Sequence, residues 1–186
     1  MTSQATLYFE KIDALVGATG TYYPIGDAGD PQVVAVASYA DVPEEGHTTS
    51  FTYGLSAAAH PQWKETRPEL IVSVRSTDAA WGLCIGDAIH RMRRQSAFPH
   101  GTVVDIGAPI SDESPMSCFL VFDNSLLEED DSRIVLPGWT VRLSQAYPIH
   151  AAEARLVERL GVQRFFFDLD IDFYDVRRPP YVSGLA

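Results

Sequence analysis

The segment that most constrains this chain is residues 69–75, E-L-I-V-S-V-R, a nearly all-apolar run of strand length. A strand with apolar side chains on both faces has no side to turn to water, so it belongs in the interior of a sheet. Thr77-Asp78 follows closely and can cap the longest helix, about 79–96. Ala80, Leu83, Cys84, Ala88 and Met92 form its expected apolar face. Arg91, Arg93 and Arg94 crowd its last turn, where cations favour the helix dipole.

The flanking segments supply the other elements. Residues 4–16 read as a helix with Tyr8, Ile12, Leu15 and Val16 on one face and Gly17 at its end. Residues 17–31 read as a Gly/Asp/Pro-rich loop. Its G-A-T-G stretch lacks the Lys-Ser/Thr ending of a phosphate loop. Residues 32–39 and 47–54 read as two strands joined by the turn D-V-P-E-E-G, a candidate hairpin. Further strands are expected at 102–106, 117–122 and 140–145. The acidic run L-L-E-E-D-D-S-R between the last two reads as a solvated loop. A helix is expected at about 151–160, closed by Gly161. In 165–174, aromatic and aliphatic residues alternate with Asp168, Asp170 and Asp172. That is strand periodicity, yet Asp is a poor strand former, so a helical turn followed by an acidic loop stays open.

At 186 residues, with 46% hydrophobic and 21% charged residues, the chain suits one folded domain, 1–186. Its formal net charge of −11 would repel nucleic acid and anionic membrane and would attract a basic protein. Cys84 and Cys118 lie far apart in apolar surroundings, as expected of reduced buried thiols. No secretory signal and no membrane-length apolar run is visible, so a cytoplasmic location is expected.

Chemistry is poorly supported. Asp168-x-Asp170-x-Asp172 begins like a calcium loop, but the sixth position is Phe173 and the twelfth is Pro179. The histidines at 47, 60, 90, 100 and 150 show no zinc spacing, and no cofactor or metal is expected. Gly54-Leu55-Ser56 starts like a nucleophile elbow, but Ala58 stands where its second Gly should be. A small hydrolase using Ser56 and His60 is therefore the alternative reading. The stretch T-Y-G-L-S-A-A-A-H-P-Q-W, residues 52–63, instead puts Gly, Pro, His and Trp into one surface loop, which points to recognition. Ser114-Pro115-Met116 makes a second corner, and Met116 can line a groove with Trp63 and Trp139.

An ordered set of pieces resembles the suppressor of fused domain family in its compact bacterial form. They are Thr52-Tyr53-Gly54-Leu55-Ser56, Arg67-Pro68-Glu69-Leu70, Pro109-Ile110, Ser114-Pro115-Met116, Phe119-Leu120-Val121-Phe122, Pro148-Ile149-His150 with Glu153 and Gly161, and Asp175-x-Arg177. The resemblance implies an α+β, α/β/α-like single domain with a central mixed, largely antiparallel sheet flanked by helices. It also implies protein binding without catalysis. Animal relatives sequester a transcription factor, partly by accepting a peptide as an added strand. They carry a further C-terminal region, so that partner is not carried over. Bacterial relatives are associated with immunity proteins of polymorphic toxin systems. The expected partner is a protein, either a basic toxin domain or a strand-forming peptide. Oligomeric state is open. Trp63 and Met116 are the expected anchors, His60 a polar contact, and Asp112 and Glu113 the charge complements. Gly54 is expected at a strand end that poorly tolerates a side chain.

Overall fold

The computed structural model describes residues 3–26, 34–58 and 60–181. Helix α1 (Gln4–Val16) starts where the Ser3 side chain accepts a hydrogen bond from the Thr6 amide. It ends at Gly17, whose φ of 74° is the left-handed conformation glycine tolerates. Both bounds match the expectation. Strands β1 (Thr21–Ile25), β2 (Val34–Ala40), β3 (Thr48–Tyr53) and β4 (Thr66–Val74) then form an antiparallel meander. The β2–β3 hairpin is as expected, while Gln32 and Val33, assigned to its first strand, lie outside the described residues. β1 is a correction to the loop expected at 17–31. Its side chains are mostly exposed and it includes Pro24, so only pairing with β2 marks it as a strand.

Helix α2 (Ala80–Met92) leads to β5 (Val103–Asp105), β6 (Cys118–Phe122), β7 (Arg133–Leu136) and β8 (Trp139–Ile149). Helices α3 (Ala151–Leu160) and α4 (Val162–Phe167) follow. The eight-stranded mixed sheet runs β1-β2-β3-β4-β8-β6-β5, with β7 also paired to β8. Among the described residues, only β4 and β8 pair in parallel, from Thr66↔Thr140 to Ile71↔Gln145. The apolar run at 69–75 is thus interior, as expected. β7 was not anticipated. Its alternation of buried Ile134 and Leu136 with exposed Val135 is short and adjoins the acidic run, and Pro137-Gly138 turns it into β8.

Helices cover both faces of the sheet. On one side Tyr8, Phe9 and Ile12 of α1 pack on Phe51, Ile71, Val141 and Leu143. Farther along that face, Val157 and Phe165 pack on Leu120, Phe122 and Tyr147. On the other, Trp81, Ile85 and Ile89 of α2 meet Leu70, Val72, Phe119 and Val121. The buried face of α2 differs from the expected one, because its closest approach is made by glycines. A Cβ on Gly82 would lie 2.4 Å from the Ser50 Cβ, and one on Gly86 would lie 2.6 Å from Val36 Cγ2. Hydrophobic patterning gives such residues little weight. α2 also stops at Met92 rather than 96, and Asp78 serves it by accepting the Ala80 amide at 2.9 Å.

The ambiguous 165–174 segment resolves as a helical turn followed by an acidic loop. Phe165 and Phe173 are buried while Phe167 is 68% exposed, and Phe166 stacks on Phe173 with centroids 4.8 Å apart. The remaining tail is strapped down by a buried ion pair. Glu153 accepts from Arg178 (2.8 Å to Nη2), from the Tyr181 amide (2.7 Å) and from the His150 amide (2.9 Å). Burial alone would raise the Glu153 pKa, but the Arg178, Tyr181 and His150 hydrogen bonds outweigh it and hold the carboxyl below its usual value.

Two stability predictions follow from these contacts. Gly82→Ala should destabilise the fold by about 1–3 kcal/mol in urea titrations, although alanine favours a helix, because Ser50 cannot move aside without its strand. Arg178→Met should cost about 3–5 kcal/mol, because it leaves the Glu153 carboxylate buried and unpaired.

Candidate functional site

The loop that joins β3 to β4 is built around one carboxylate. The β3–β4 ladder runs from Thr48↔Val74 to Phe51↔Ile71 and then stops. From there the Glu69 side chain takes over the partnering. It accepts from Thr52 Oγ1 (2.8 Å), the Gly54 amide (2.8 Å), the Ser56 amide (2.8 Å) and Ser56 Oγ (2.7 Å). Gly54 follows the strand end with φ 119°, as expected, and this turns its N–H and that of Ser56 toward the same carboxylate. Glu69 is fully buried.

This arrangement decides the role of Ser56. Its hydroxyl is 0% exposed and donates to Glu69, so it is not presented to a substrate or to His60. His60 is instead occupied locally: its Nδ1 accepts the Gln62 amide at 3.3 Å, and its ring lies 5.0 Å from the Trp63 ring. The nucleophile–base contact that the hydrolase reading requires is not formed.

Beyond the anchored turn, the loop forms a ridge. Trp63 is half-buried, and its Nε1 donates to the Ala97 carbonyl at 3.4 Å, tying the loop to the segment after α2. Arg67 Nη1 donates to the Ser56 carbonyl at 3.0 Å, and its guanidinium sits 4.4 Å above the Trp139 ring. Two open clefts share Trp63 and Arg67 as a wall. One, of about 350 Å³, is lined by Ala58, His60 and Pro61. The other, of about 250 Å³, lies toward Pro68, Phe98, His100 and Arg142. Asp123 pairs with both Arg142 (3.3 Å) and His100 (3.5 Å). Two arginines and a histidine thus gather at this cleft around Asp123, on a chain that is strongly acidic overall, a grouping that residue counts average away. Arg142 and His100 lie far from the loop in sequence and carry no motif that would have revealed them.

The expected anchors do not form one surface. His60 and Trp63 meet at the ridge, next to the chain beyond the C-terminal end of α2. The 111–116 corner attaches to the opposite end of α2, where Glu113 accepts from Trp81 Nε1 at 3.0 Å and from Ser76 Oγ. The 13 residues of α2 separate these positions by about 20 Å. Glu113 is also paired with Arg177, so its charge is answered within the chain. Met116 is 1% exposed and belongs to the core, where its apolar side chain packs with Ile110 and Val104 rather than facing a groove. Asp112 is exposed on the corner. Among the described residues, no group of three His, Cys, Asp or Glu is placed to hold a metal ion, and no helix is long and apolar enough to cross a membrane.

Burial pushes the Glu69 carboxyl up to about 7, against the opposing pull of the hydrogen bonds from Ser56, Thr52 and Gly54. The unfolded chain loses this proton near the ordinary value of 4.5, whereas the folded chain retains it until about pH 7. The stabilisation is thus fully present below the unfolded value and is lost as pH rises through the folded one. The stability of the wild type relative to Glu69→Gln should fall by roughly 3 kcal/mol across that interval and level off above it. Urea titrations at stepped pH measure this, and a constant difference would contradict it.

Similarity to known proteins agrees with this architecture. The family model "Suppressor of fused protein (SUFU)" matches residues 30–179. No curated protein matches the chain in sequence. Among solved structures, the Sufu–Fu complex contains a chain that aligns with a TM-score of 0.66 at 14% identity, covering 93% of this chain and 90% of that one. A putative SUFU homologue from Neisseria gonorrhoeae FA 1090 aligns with a TM-score of 0.65 at 16% identity, covering 94% of each chain. Drosophila Suppressor of Fused aligns with a TM-score of 0.65 at 14% identity; 92% of this chain is covered, but only 49% of the Drosophila one. At such identities the structural likeness establishes the fold, and the sequence match establishes the kinship: this chain belongs to the suppressor of fused protein family.

Proposed function

We propose that this protein is a non-enzymatic protein-binding domain that holds its partner against the Trp63 ridge. The observation that carries this reading is the ridge itself. A half-buried tryptophan stands between two open clefts and is held by His60 and Ala97, on a loop whose root is fixed by Glu69. A rigid aromatic anchor of this kind concentrates binding energy, because little side-chain freedom remains to be lost. Family membership supports a partner protein, and one of the similar structures is a complex of Sufu with Fu.

The biological setting we propose is that of an immunity protein neutralising a toxin. The net charge of −11 supports it, since an acidic surface steers a basic toxin domain toward capture. The guanidinium groups of Arg67 and Arg142 refine the local picture. The segment entering the clefts would offer carboxylates or backbone carbonyls, while the basic bulk of the partner would face acidic surface elsewhere. A cytoplasmic location belongs to the same proposal and is supported by the two free cysteines.

The test is affinity capture from native lysate at low and high salt, with Trp63→Ala alongside. The reading expects a specific basic protein that is retained at low salt, released at high salt and bound about 30-fold more weakly by Trp63→Ala, the effect of losing an anchor worth about 2 kcal/mol. Unchanged thermal unfolding of the variant would show that the loss arises at the surface. Equal capture by wild type and variant would overturn the ridge as the docking site.

A further inference from the structure

A second groove lies on the opposite side of the sheet from α2, between α1 and the edge strand β1. It encloses about 410 Å³ and is lined by Ala5, Phe9, Tyr22, Pro24 and Ala35, with Glu10 and Asp13 at its rim. Its volume falls within the range of about 300–1,000 Å³ typical of binding sites. Nearly all of its lining comes from residues before position 30, outside the segment that matches the family model.

Two properties define what fits there. The first is the floor. Tyr22 is 41% exposed, and among the described residues only Val135 and Phe167 are comparable large apolar side chains left open. Its ring is held edge-on to Phe9, with centroids 5.2 Å apart, and its hydroxyl donates to Asp13 at 2.6 Å. The aromatic wall is therefore fixed before anything binds. The second is the rim. Asp13 also accepts from Tyr39 Oη (2.8 Å) and the Gly20 amide (3.1 Å), so these three partners are all neutral. Burial would raise its pKa, but the two tyrosine hydrogen bonds and the Gly20 amide outweigh this and keep the carboxyl below its usual value. Among the described residues no cation bonds this carboxylate, so its negative charge stands at the groove, with exposed Glu10 one helical turn away.

The backbone of β1 restricts the mode of binding. Pro24 lacks an N–H, so the free edge of this strand offers an incoming strand an interrupted ladder. Side-chain insertion into the groove remains.

We infer that the α1–β1 groove is a docking surface for a basic segment of a protein partner, which inserts one apolar side chain between Phe9 and Tyr22 and sets a flanking Lys or Arg against Glu10 and Asp13. This rests on the reading of the chain as a protein-binding domain, but it concerns a surface separate from the Trp63 ridge.

The experiment is titration of the full chain, isotopically labelled, with two capped pentapeptides, Gly-Lys-Leu-Arg-Gly and Gly-Glu-Leu-Glu-Gly, followed by amide NMR shifts. The basic peptide should move the signals of Phe9, Glu10, Tyr22 and Ala35 saturably, with an affinity of about millimolar. The acidic one should not move them. Glu10→Gln, which alters only an exposed side chain, should weaken binding by about threefold. Ala5→Trp, which fills the groove, should abolish the shifts. Absence of shifts with the basic peptide, equal shifts with both peptides, or shifts confined to the 168–175 acidic loop would overturn the inference. Because the probes are defined peptides and the readout is residue by residue, failure here leaves the Trp63 capture result standing on its own.

Discussion

The parallel pairing of β4 with β8 is the constraint on which the rest of the structure depends. It joins two otherwise antiparallel half-sheets, β1 to β4 on one side and β8, β6, β5 with β7 on the other. A parallel pair cannot be closed by a tight turn, so the chain must travel away and return. That journey contains α2 and the whole β5–β7 segment. Because the seam is interior, both of its faces need cover. α1 supplies one layer and α2 the other, while α3 and α4 continue the first layer over β6.

The same seam organises the loop between β3 and β4. Only part of β4 pairs with β3, which leaves the edge beside Glu69 without a strand partner. The Glu69 carboxylate fills that gap by binding the hydroxyls and amides of the departing chain. A buried carboxylate is costly to desolvate, and four donors converging on it offset much of that cost. They also fix where the loop leaves the sheet, and thereby where Trp63 stands. Rigidity at the root and openness at the tip thus have one physical origin. Charge then varies over short distances: an acidic chain gathers Arg67 and Arg142 at one cleft and Glu10 and Asp13 at the edge of α1, so net charge describes neither surface.

The parts of the fold written in local patterns were legible in the sequence. α1 was defined by a periodic apolar face and a terminal glycine, α3 by Gly161, and the β2–β3 hairpin by β-branched runs around a turn. The parts set by partners were not. β1 is a strand only because β2 lies beside it, and the face of α2 is chosen by Gly82 and Gly86, which patterning does not score. The alternation after Phe165 left a strand and a helical turn with an acidic loop both open, and packing of Phe165 and Phe173 against β6 and β8 decided for the latter. At the candidate site, the loop and its Trp and His were visible. The grouping of Met116 and Glu113 with them was not sustained, because the length of α2 intervenes.

By itself the sequence determined the class of the fold, the interior position of residues 69–75, the family, and a loop that carries a histidine and a tryptophan. The interior run and the loop follow from residue type and near-neighbour spacing, which act before the chain closes on itself, while the fold class and the family follow from an ordered set of motifs that resembles a known family. The tertiary structure alone decided that Glu69 serves as the hub of that loop, that Ser56 is its ligand rather than a nucleophile, that Met116 is core, and that Arg67, Arg142 and His100 converge on one cleft. These depend on contacts between residues distant in the chain, and such contacts are set by sheet order and helix packing rather than by any local preference of the residues that make them.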